Sequence, residues 1–243
     1  MVLRYYAPGA PYWWRYQLVS LGNNYEPPRN GRYWYRLLID NGMFAFYKTG
    51  SRPSLDKWLA RLNRYIKMID SVLKPDEIRV ILPDWLGDPG FTSLAARHER
   101  ARRLCKDYVC FASVHSSTVG DYVRVAEEMG TIEHVMGLAA PLKINCVMKR
   151  KPSKRCQVAI VQQVCGVARR LGLQCHGLGA LLDPRHLQVL ERLGMGSFDS
   201  GAWIRVNKRE TARPEVASIA DSKSKLFTAV LLRLKEGGVT LEE

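Results

Sequence analysis

Short apolar runs of β type alternate with helical patterns along almost the whole chain. The candidate strands are residues 17–21, 36–40, 78–84, 109–115, 134–139, 173–178 and 197–200. The clearest helix is 54–73, where apolar residues recur every three or four positions after Ser54, a residue suited to the N-cap. Because parallel strands need a long crossover between them, strand, helix and strand in repeated succession predict a parallel sheet covered by helices.

Seven or eight such units favour an α/β fold, a (β/α)8 TIM-like barrel forming a single domain over 1–243. The competing fold is a doubly wound open sheet, but no Gly-x-Gly-x-x-Gly follows the first strand and the chain has no Walker lysine motif. Within the domain we distinguish an aromatic and basic N-terminal cover at 1–35, a basic loop at 142–155 and a C-terminal helix at 216–236.

Two further helix starts carry capping signals. Thr118 is followed by Asp121 as in a capping box, and Asp183 precedes Pro184, which suits the first helical position. The second of these helices is expected to stop at Gly194.

The charge of the chain indicates an anionic partner. The sequence has 37 Lys and Arg against 23 Asp and Glu, a net charge of +14, and such a field attracts nucleic acid or acidic membrane. Since no apolar run approaches the roughly 18–20 residues that cross a bilayer, the sequence predicts a soluble cytoplasmic protein with no membrane contact. The six cysteines are interpreted as structural thiols, with a metal site or a redox pair as the alternative: 105, 110, 146, 156, 165 and 175.

Three aspartates end apolar runs, where a barrel collects its active site. They are Asp40, Asp84 and Asp199. Each alone could cap a helix or close a turn, but together they suit cleavage of a glycosidic bond, in which one carboxylate attacks the sugar and another moves a proton. Burial and mutual repulsion are then expected to separate their pKa values. Metal-assisted phosphodiester cleavage is the rival chemistry.

Other strand-end residues could complete such a site or be purely structural. His115 and His176 end two strands, Gly137 would let a backbone amide approach a planar ligand, and Phe44 could stack on a base or fill the core.

Five segments, taken in order, resemble the tRNA-guanine transglycosylase superfamily over residues 17–205. The run Leu38-Ile39-Asp40-Asn41-Gly42-Met43-Phe44 is similar to that family's Asp-Ser-Gly-Gly-Phe motif. The later segments are Phe111-Ala112-Ser113-Val114-His115, Met136-Gly137-Leu138-Ala139, Cys175-His176-Gly177-Leu178-Gly179 and Gly196-Ser197-Phe198-Asp199-Ser200-Gly201-Ala202-Trp203. Within the superfamily, three segments look most like the deoxypurine-in-DNA branch, which exchanges guanine in DNA for a 7-deazaguanine such as preQ0. They are Pro83-Asp84-Trp85, His176-Gly177-Leu178-Gly179 and Asp199-Ser200-Gly201-Ala202-Trp203.

The resemblance implies roles for individual residues. Asp199 would be the nucleophile on the sugar C1′ and Asp40 the general acid/base. The base would be bound by the remaining residues of these motifs: Asp84, His115, Gly137, Leu138, Phe44 and His176. The 7-deazaguanine base is a co-substrate, and no resident cofactor is implied, because the zinc-binding Cys-x-Cys-x-x-Cys of the tRNA enzymes is absent after Cys175.

Departures from the motifs keep two alternatives open. Asn41, Met43 and His115 replace the family's Ser, Gly and Gln. An enzyme acting on tRNA is the first alternative, and a non-catalytic nucleic-acid-binding accessory subunit is the second. The sequence leaves open whether a homodimer or an accessory protein is needed.

Basic residues near the motifs are expected to hold the nucleic acid. The candidates are Arg205, Lys208, Arg209, Lys149, Arg150 and Lys151. A second basic cluster, at 97–106, is equally well explained as a solvated helix face. Seven tyrosines and three tryptophans in the first 35 residues could stack on unpaired bases or pack as a cover over the barrel.

Overall fold

Eight parallel strands close into a barrel in the computed structural model, which describes residues 2–21, 36–74, 76–116, 118–142, 153–205 and 211–242. Each strand pairs with its neighbours in chain order, and the first pairs with the last. The predicted (β/α)8 fold is therefore confirmed. The strands are β1 Arg4–Pro8, β2 Tyr16–Ser20, β3 Arg36–Asp40, β4 Glu77–Ile81, β5 Val109–Ser113, β6 Gly137–Pro141, β7 Gln174–Leu178 and β8 Ser197–Asp199.

Helices of the described segments cover the barrel from β3 onward. They are α1 Met43–Lys48, α2 Leu55–Leu73, α3 Pro89–Arg97, α4 Glu99–Leu104, α5 Tyr122–Gly130, α6 Lys154–Arg170, α7 Pro184–Arg192, α8 Pro214–Ala217 and α9 Ser222–Glu236. The predicted start of α7 is confirmed, since the Asp183 carboxylate accepts a hydrogen bond from the His186 amide at 2.9 Å and Pro184 takes the first helical position.

Several predicted boundaries were wrong. No strand was predicted at Arg4–Pro8, because its Tyr5-Tyr6 pair lacks the aliphatic run by which the other strands were recognised. The segment therefore belongs to the barrel wall and is not a separate cover. Strand β6 begins three residues later than predicted, at Gly137. The expected 216–236 helix is divided, because Asp221 caps a new helix by accepting the Ser224 amide at 2.7 Å.

Alternation along the strands decides which side chains enter the barrel. Tyr6, Phe111 and His176 meet inside it, with the His176 ring edge-on to both aromatic rings at 5.9 and 6.1 Å. Tyr5 points the opposite way and stacks on Phe198 at 4.8 Å. Interior and helix-facing layers are thus both closely packed, and the polar chemistry is left to the ends of the strands.

The C-terminal segment closes the end of the barrel at which the strands begin. Leu241 forms a parallel bridge with Leu3, and Glu242 accepts hydrogen bonds from Arg4 at 2.7 Å and from Arg36 at 2.9 Å. Glu242 thus links β1 to β3 at the end of the barrel opposite the carboxyl ends of the strands.

The five cysteines in the described segments are disulfide-bonded, which differs from the expectation of structural thiols. Cys105 is bonded to Cys110 and Cys165 to Cys175, with Cα separations of 5.5 and 5.3 Å, and Cys156 is also disulfide-bonded. In the Cys105–Cys110 and Cys165–Cys175 pairs, the C-terminal part of a helix lies beside the following strand at the distance that a disulfide needs. Among the described residues, no helix is long and apolar enough to span a bilayer.

Candidate active site

Polar side chains from β2, β3, β4, β5 and β8 gather at the carboxyl ends of the strands. The three predicted aspartates are among them. They are close enough to interact electrostatically, because the charges of Asp84 and Asp199 both raise the pKa of Asp40. The structure therefore brings Asp40, Asp84 and Asp199 to one mouth, as the strand-end pattern predicted.

Asp40 is the aspartate whose protonation is most altered. Loss of hydration raises its pKa to about 7, the charges of Asp84 and Asp199 push in the same direction, and the Ser20 hydroxyl opposes them by donating to Oδ2 at 2.7 Å. Gly42 donates its backbone amide to the same carboxyl group. A carboxyl group with a pKa near neutrality suits proton transfer at physiological pH.

The surroundings of Asp84 favour its ionised form. Burial by itself would raise its pKa, but the His115 imidazole and hydrogen bonds from His115 and Asn41 lower it below the ordinary value. His115 Nε2 lies 2.6 Å from Oδ2, and Asn41 Nδ2 lies 2.9 Å from Oδ1. Asp40 and Asp84 thus separate in pKa as expected for carboxylates in unlike surroundings.

Asn41 fastens this part of the site to the barrel. Its side chain is fully buried, donates also to the Leu82 carbonyl at 2.7 Å and accepts the Met43 amide at 2.8 Å. The Asn41 carbonyl in turn accepts the indole N–H of Trp58 at 2.8 Å. Asn41 therefore bonds to Asp84 and fixes the turn that follows Asp40.

Glycine is required at position 42. Its φ is +81°, and a Cβ there would lie 1.7 Å from the Leu21 carbonyl oxygen. The Asp40-Asn41-Gly42 turn thus packs directly against the end of β2.

Asp199 lies at the end of β8 with its side chain 16% exposed. Its Oδ1 accepts the Gly179 amide at 3.0 Å and lies 3.3 Å from His176 Nε2. The other ring nitrogen of His176 is 2.9 Å from the Ser197 hydroxyl oxygen. Asp199 is thereby held by groups from the end of β7 while it faces the mouth.

The predicted base-binding residues are dispersed. Asp84 and His115 are both 2% exposed and bonded to each other, so they lie beneath the mouth, and their contact with a base stays a prediction. His176 is 1% exposed and lies under Asp199. Phe44 belongs to α1, and its side chain is outside the described part.

Gly137 and Leu138 are not brought to the mouth. Because β6 starts at Gly137, this residue lies at the opposite end of the strand, where an added Cβ would come within 2.3 Å of the Phe111 ring. Leu138 is fully buried and its Cδ1 faces Gly130 on α5. Gly137 therefore makes room for an aromatic ring in the barrel, and the base contacts predicted for this pair are not supported by their placement.

Most of the predicted nucleic-acid-binding residues fall outside the described segments. Arg205 ends a 3₁₀ turn at Ala202–Arg205, but its side chain is not described. The others lie at positions 143–152 and 206–210, outside the described residues: Lys208, Arg209, Lys149, Arg150 and Lys151.

The 97–106 cluster is largely ion-paired. Arg102 and Arg103 both contact Glu99, at 2.8 and 3.0 Å, and Arg100 contacts Asp56 at 3.1 Å. This pattern agrees with the solvated helix face that the sequence left as an alternative.

The N-terminal aromatics in the described segment are mainly core residues. Tyr5, Tyr6, Trp14 and Tyr16 are at most 4% exposed. Of the two interpretations, packing against the barrel is the one that holds for these four.

A different aromatic group lies at the rim of the mouth. Trp85 follows Asp84 directly, Tyr47 is 42% exposed, and their ring centroids are 5.7 Å apart. The Arg52 guanidinium lies over the rings of Trp85 and Phe91 at 5.6 and 4.7 Å and pairs with Asp88 at 2.7 Å. Exposed aromatic and guanidinium groups of this kind can stack on bases.

Sequence reasoning missed two supporting residues, Ser20 and Ser197. Ser20 is the last residue of β2, so the rule that selected the aspartates could have found it. Ser197 begins β8, and no sequence signal marks it, because its contact with His176 depends on strand register. The described residues contain no group of three or more His, Cys, Asp or Glu side chains arranged to hold a metal ion.

Comparison with known proteins gives similarity of fold. No protein-family model and no curated protein matches the chain. A solved structure of an Arg-to-Lys mutant of flavocytochrome b2 is 11% identical, with a TM-score of 0.47 over 98% of this chain and 66% of that one. FabK from Thermotoga maritima is 13% identical, with a TM-score of 0.38 over 69% of this chain and 42% of that one.

A putative fructose-1,6-biphosphate aldolase from Coccidioides immitis is 11% identical, with a TM-score of 0.31 over 83% of this chain and 77% of that one. None of these three is a transglycosylase. The chain spans less than two thirds of the FabK chain and 66% of the flavocytochrome chain. At these identities and TM-scores, the similarity carries no information about the reaction.

Proposed function

We propose that this protein exchanges guanine in DNA for a 7-deazaguanine base through a covalent intermediate on Asp199. The observation that carries the proposal is the pairing, at one barrel mouth, of Asp40, whose pKa is raised to about 7, with Asp199, whose charge contributes to that rise. Glycosidic-bond cleavage needs such a division between a proton-transferring carboxyl group and an attacking carboxylate.

The reaction balances with these two groups and the incoming base. Asp199 attacks the deoxyribose C1′, the C1′–N9 bond breaks, and the leaving guanine takes its proton from Asp40. The N9–H of the 7-deazaguanine then returns a proton to Asp40 while N9 attacks C1′ and releases Asp199. Asp40 is protonated again at the end, so the cycle needs no further acid.

Different groups hold the two carboxyl groups in place. Ser20 and the Gly42 amide hold Asp40, whereas Gly179 and His176 hold one oxygen of Asp199. Because each partner comes from a barrel strand or an adjoining turn, the rigid barrel fixes the geometry before substrate binds.

Charge and rim chemistry support a nucleic-acid substrate. The net charge of +14 offers phosphate contacts, and binding is expected to weaken steeply as salt rises. The target nucleotide must leave the stack to reach Asp199, at a cost of a few kcal/mol. Tyr47, Trp85 and Arg52 lie where a base beside the extruded one could stack. DNA is preferred over tRNA on the motifs shared with the DNA-modifying branch.

The test is exchange and adduct formation with Asp199→Ala. DNA carrying labelled guanine is incubated with preQ0, and release of label is measured beside denaturing-gel detection of a protein–DNA adduct. Asp199→Ala should abolish both while leaving the urea midpoint near that of the natural chain. Asp107→Asn, a change at an exposed carboxylate, is the matched control and should keep full activity.

Two outcomes would redirect the proposal. Exchange in tRNA but not in DNA would favour the tRNA alternative. Binding of both nucleic acids with no exchange and no adduct would favour a non-catalytic accessory role.

A further inference from the structure

One oxygen of the Asp199 carboxylate is hydrogen-bonded to described residues, and the other is not. Oδ1 receives the Gly179 amide and the His176 ring nitrogen Nε2, and the Asp199 backbone carbonyl receives the Ala180 amide at 2.9 Å. Among the described residues, Oδ2 has no hydrogen-bonding partner. Asp199 is therefore held at its backbone carbonyl and at Oδ1, and Oδ2 is the oxygen left to react.

Strand register explains how His176 reaches Asp199. Ser197 is the register partner of His176 across β7 and β8, and Asp199 lies two residues further along β8 on the same face. His176 thus contacts Ser197 beside it and Asp199 above it. The rings of Tyr6 and Phe111 lie edge-on to the imidazole and limit its rotation.

The partners also define where the imidazole proton lies. An ionised carboxylate accepts hydrogen bonds only, so the contact with Asp199 Oδ1 requires the proton on Nε2. In a neutral ring, Nδ1 is then an acceptor, and the Ser197 hydroxyl can donate to it. The Ser197 contact is thus compatible with the tautomer that the Asp199 carboxylate requires.

We propose that His176, held by Ser197, is a positioning residue that binds Oδ1 of Asp199 and thereby makes Oδ2 the nucleophilic oxygen. The chemical role of Oδ2 rests on the proposed function, whereas the tautomer and the contact with Oδ1 do not. This role differs from packing on a face of the base, for which a ring 1% exposed beneath Asp199 is poorly placed.

The first experiment needs no substrate. The full chain is labelled with 15N-histidine, and the ring resonances of His176 are assigned by their loss in His176→Gln. We expect the Nε2–H tautomer at pH 7.5. Ser197→Ala should shift the Nδ1 resonance toward that of a nitrogen without a hydrogen bond. An Nδ1–H tautomer in the natural chain, or an Nδ1 shift unchanged by Ser197→Ala, would overturn the proposal.

The second experiment separates positioning from base binding. His176→Gln can place an amide N–H near the former Nε2, whereas His176→Leu cannot. With DNA and preQ0, His176→Leu should lower kcat by about 10- to 100-fold, because a small misplacement of a reacting group has effects of this size. The KM values for DNA and preQ0 should stay within about twofold, and His176→Gln should recover most of kcat.

Equal losses in the two variants, or a loss confined to the KM for preQ0, would overturn the positioning role. If the natural chain shows no exchange at all, the proposed function fails, while the tautomer experiment still decides whether His176 holds Asp199.

Discussion

The amide of Asn41 donates to Oδ1 of Asp84 at 2.9 Å, joining the ends of the neighbouring strands β3 and β4. Asn41 is fully buried and Asp84 is 2% exposed. This bond links the turn that carries Asp40 to the Asp84–His115 pair, so the parts of the mouth are mechanically connected.

Asn41→Asp should destabilise the protein in a pH-dependent way. It places a second carboxylate against Asp84 in a buried position, which we expect to lower the free energy of unfolding by about 3 kcal/mol or more at pH 8. The loss should shrink at pH 5, because one carboxyl group can then take up a proton. Urea unfolding at both pH values measures this, and equal stability of Asn41→Asp and the natural chain at pH 8 would contradict it.

Asn41→Ala is the uncharged companion of that variant. It removes all three side-chain hydrogen bonds of Asn41 and should lower the free energy of unfolding by about 1–3 kcal/mol at either pH.

The raised pKa of Asp40 predicts that stability falls as pH rises from about 4 to 7. In this window Asp40 stays protonated in the folded state but is ionised in the unfolded state. The free energy of unfolding therefore decreases as pH rises, by up to about 4 kcal/mol in total. The lowered pKa of Asp84 acts below about pH 4, where its ionised state stabilises the fold as pH rises. Asp40→Asn should abolish this decrease in stability, and at pH 8 the variant should be more stable than the natural chain.

Urea midpoints from pH 4 to 8 for both proteins test this. Burial lowers the pKa of His186, so this residue makes stability increase as pH rises just below 6.5. The effect is the same in both proteins and cancels when their stabilities are subtracted. Parallel pH profiles would show that Asp40 has an ordinary pKa. In the exchange assay, the rate of base release should fall above about pH 7, where Asp40 loses the proton it donates.

Gly137→Ala should destabilise the barrel interior. The new Cβ would lie 2.3–2.9 Å from three atoms of the buried Phe111 ring, and overpacking of this kind costs about 1–3 kcal/mol. Gly166→Ala is the matched control, because nothing lies within 4 Å of its added Cβ in α6, and it should be neutral or stabilising. In a Phe111→Leu background the cost of Gly137→Ala should shrink; an undiminished cost would disprove the clash.

Tyr47→Ala should weaken single-stranded DNA binding. A stacked base contributes about 1–3 kcal/mol, so we expect an affinity loss of roughly 5- to 100-fold, with most of the affinity kept in Tyr47→Phe. Met136→Ala, at an exposed residue just before β6 and so at the other end of the barrel, should leave binding unchanged. Fluorescence anisotropy at fixed salt provides the measurement, and equal affinities for Tyr47→Ala and Met136→Ala would exclude stacking on Tyr47.

Local patterns in the sequence determined the fold class and the residues that end most strands. Short apolar runs and the helix predicted at 54–73 were sufficient for the barrel, since parallel strands with helical crossovers close in few ways. They also placed Asp40, Asp84 and Asp199 at one end. The aromatic strand Arg4–Pro8 was missed because its residues do not show the aliphatic pattern used to identify the others.

Only the tertiary structure decided what each polar group touches. Strand β6 begins three residues later than predicted, so Gly137 and Leu138 lie at the end of the barrel away from the mouth. The register between β7 and β8 places Ser197 beside His176. Likewise, burial and neighbouring carboxylates raise the pKa of Asp40, whereas His115 and Asn41 outweigh burial and lower the pKa of Asp84. These properties depend on distances between residues far apart in the chain, and local periodicity carries no information about such distances.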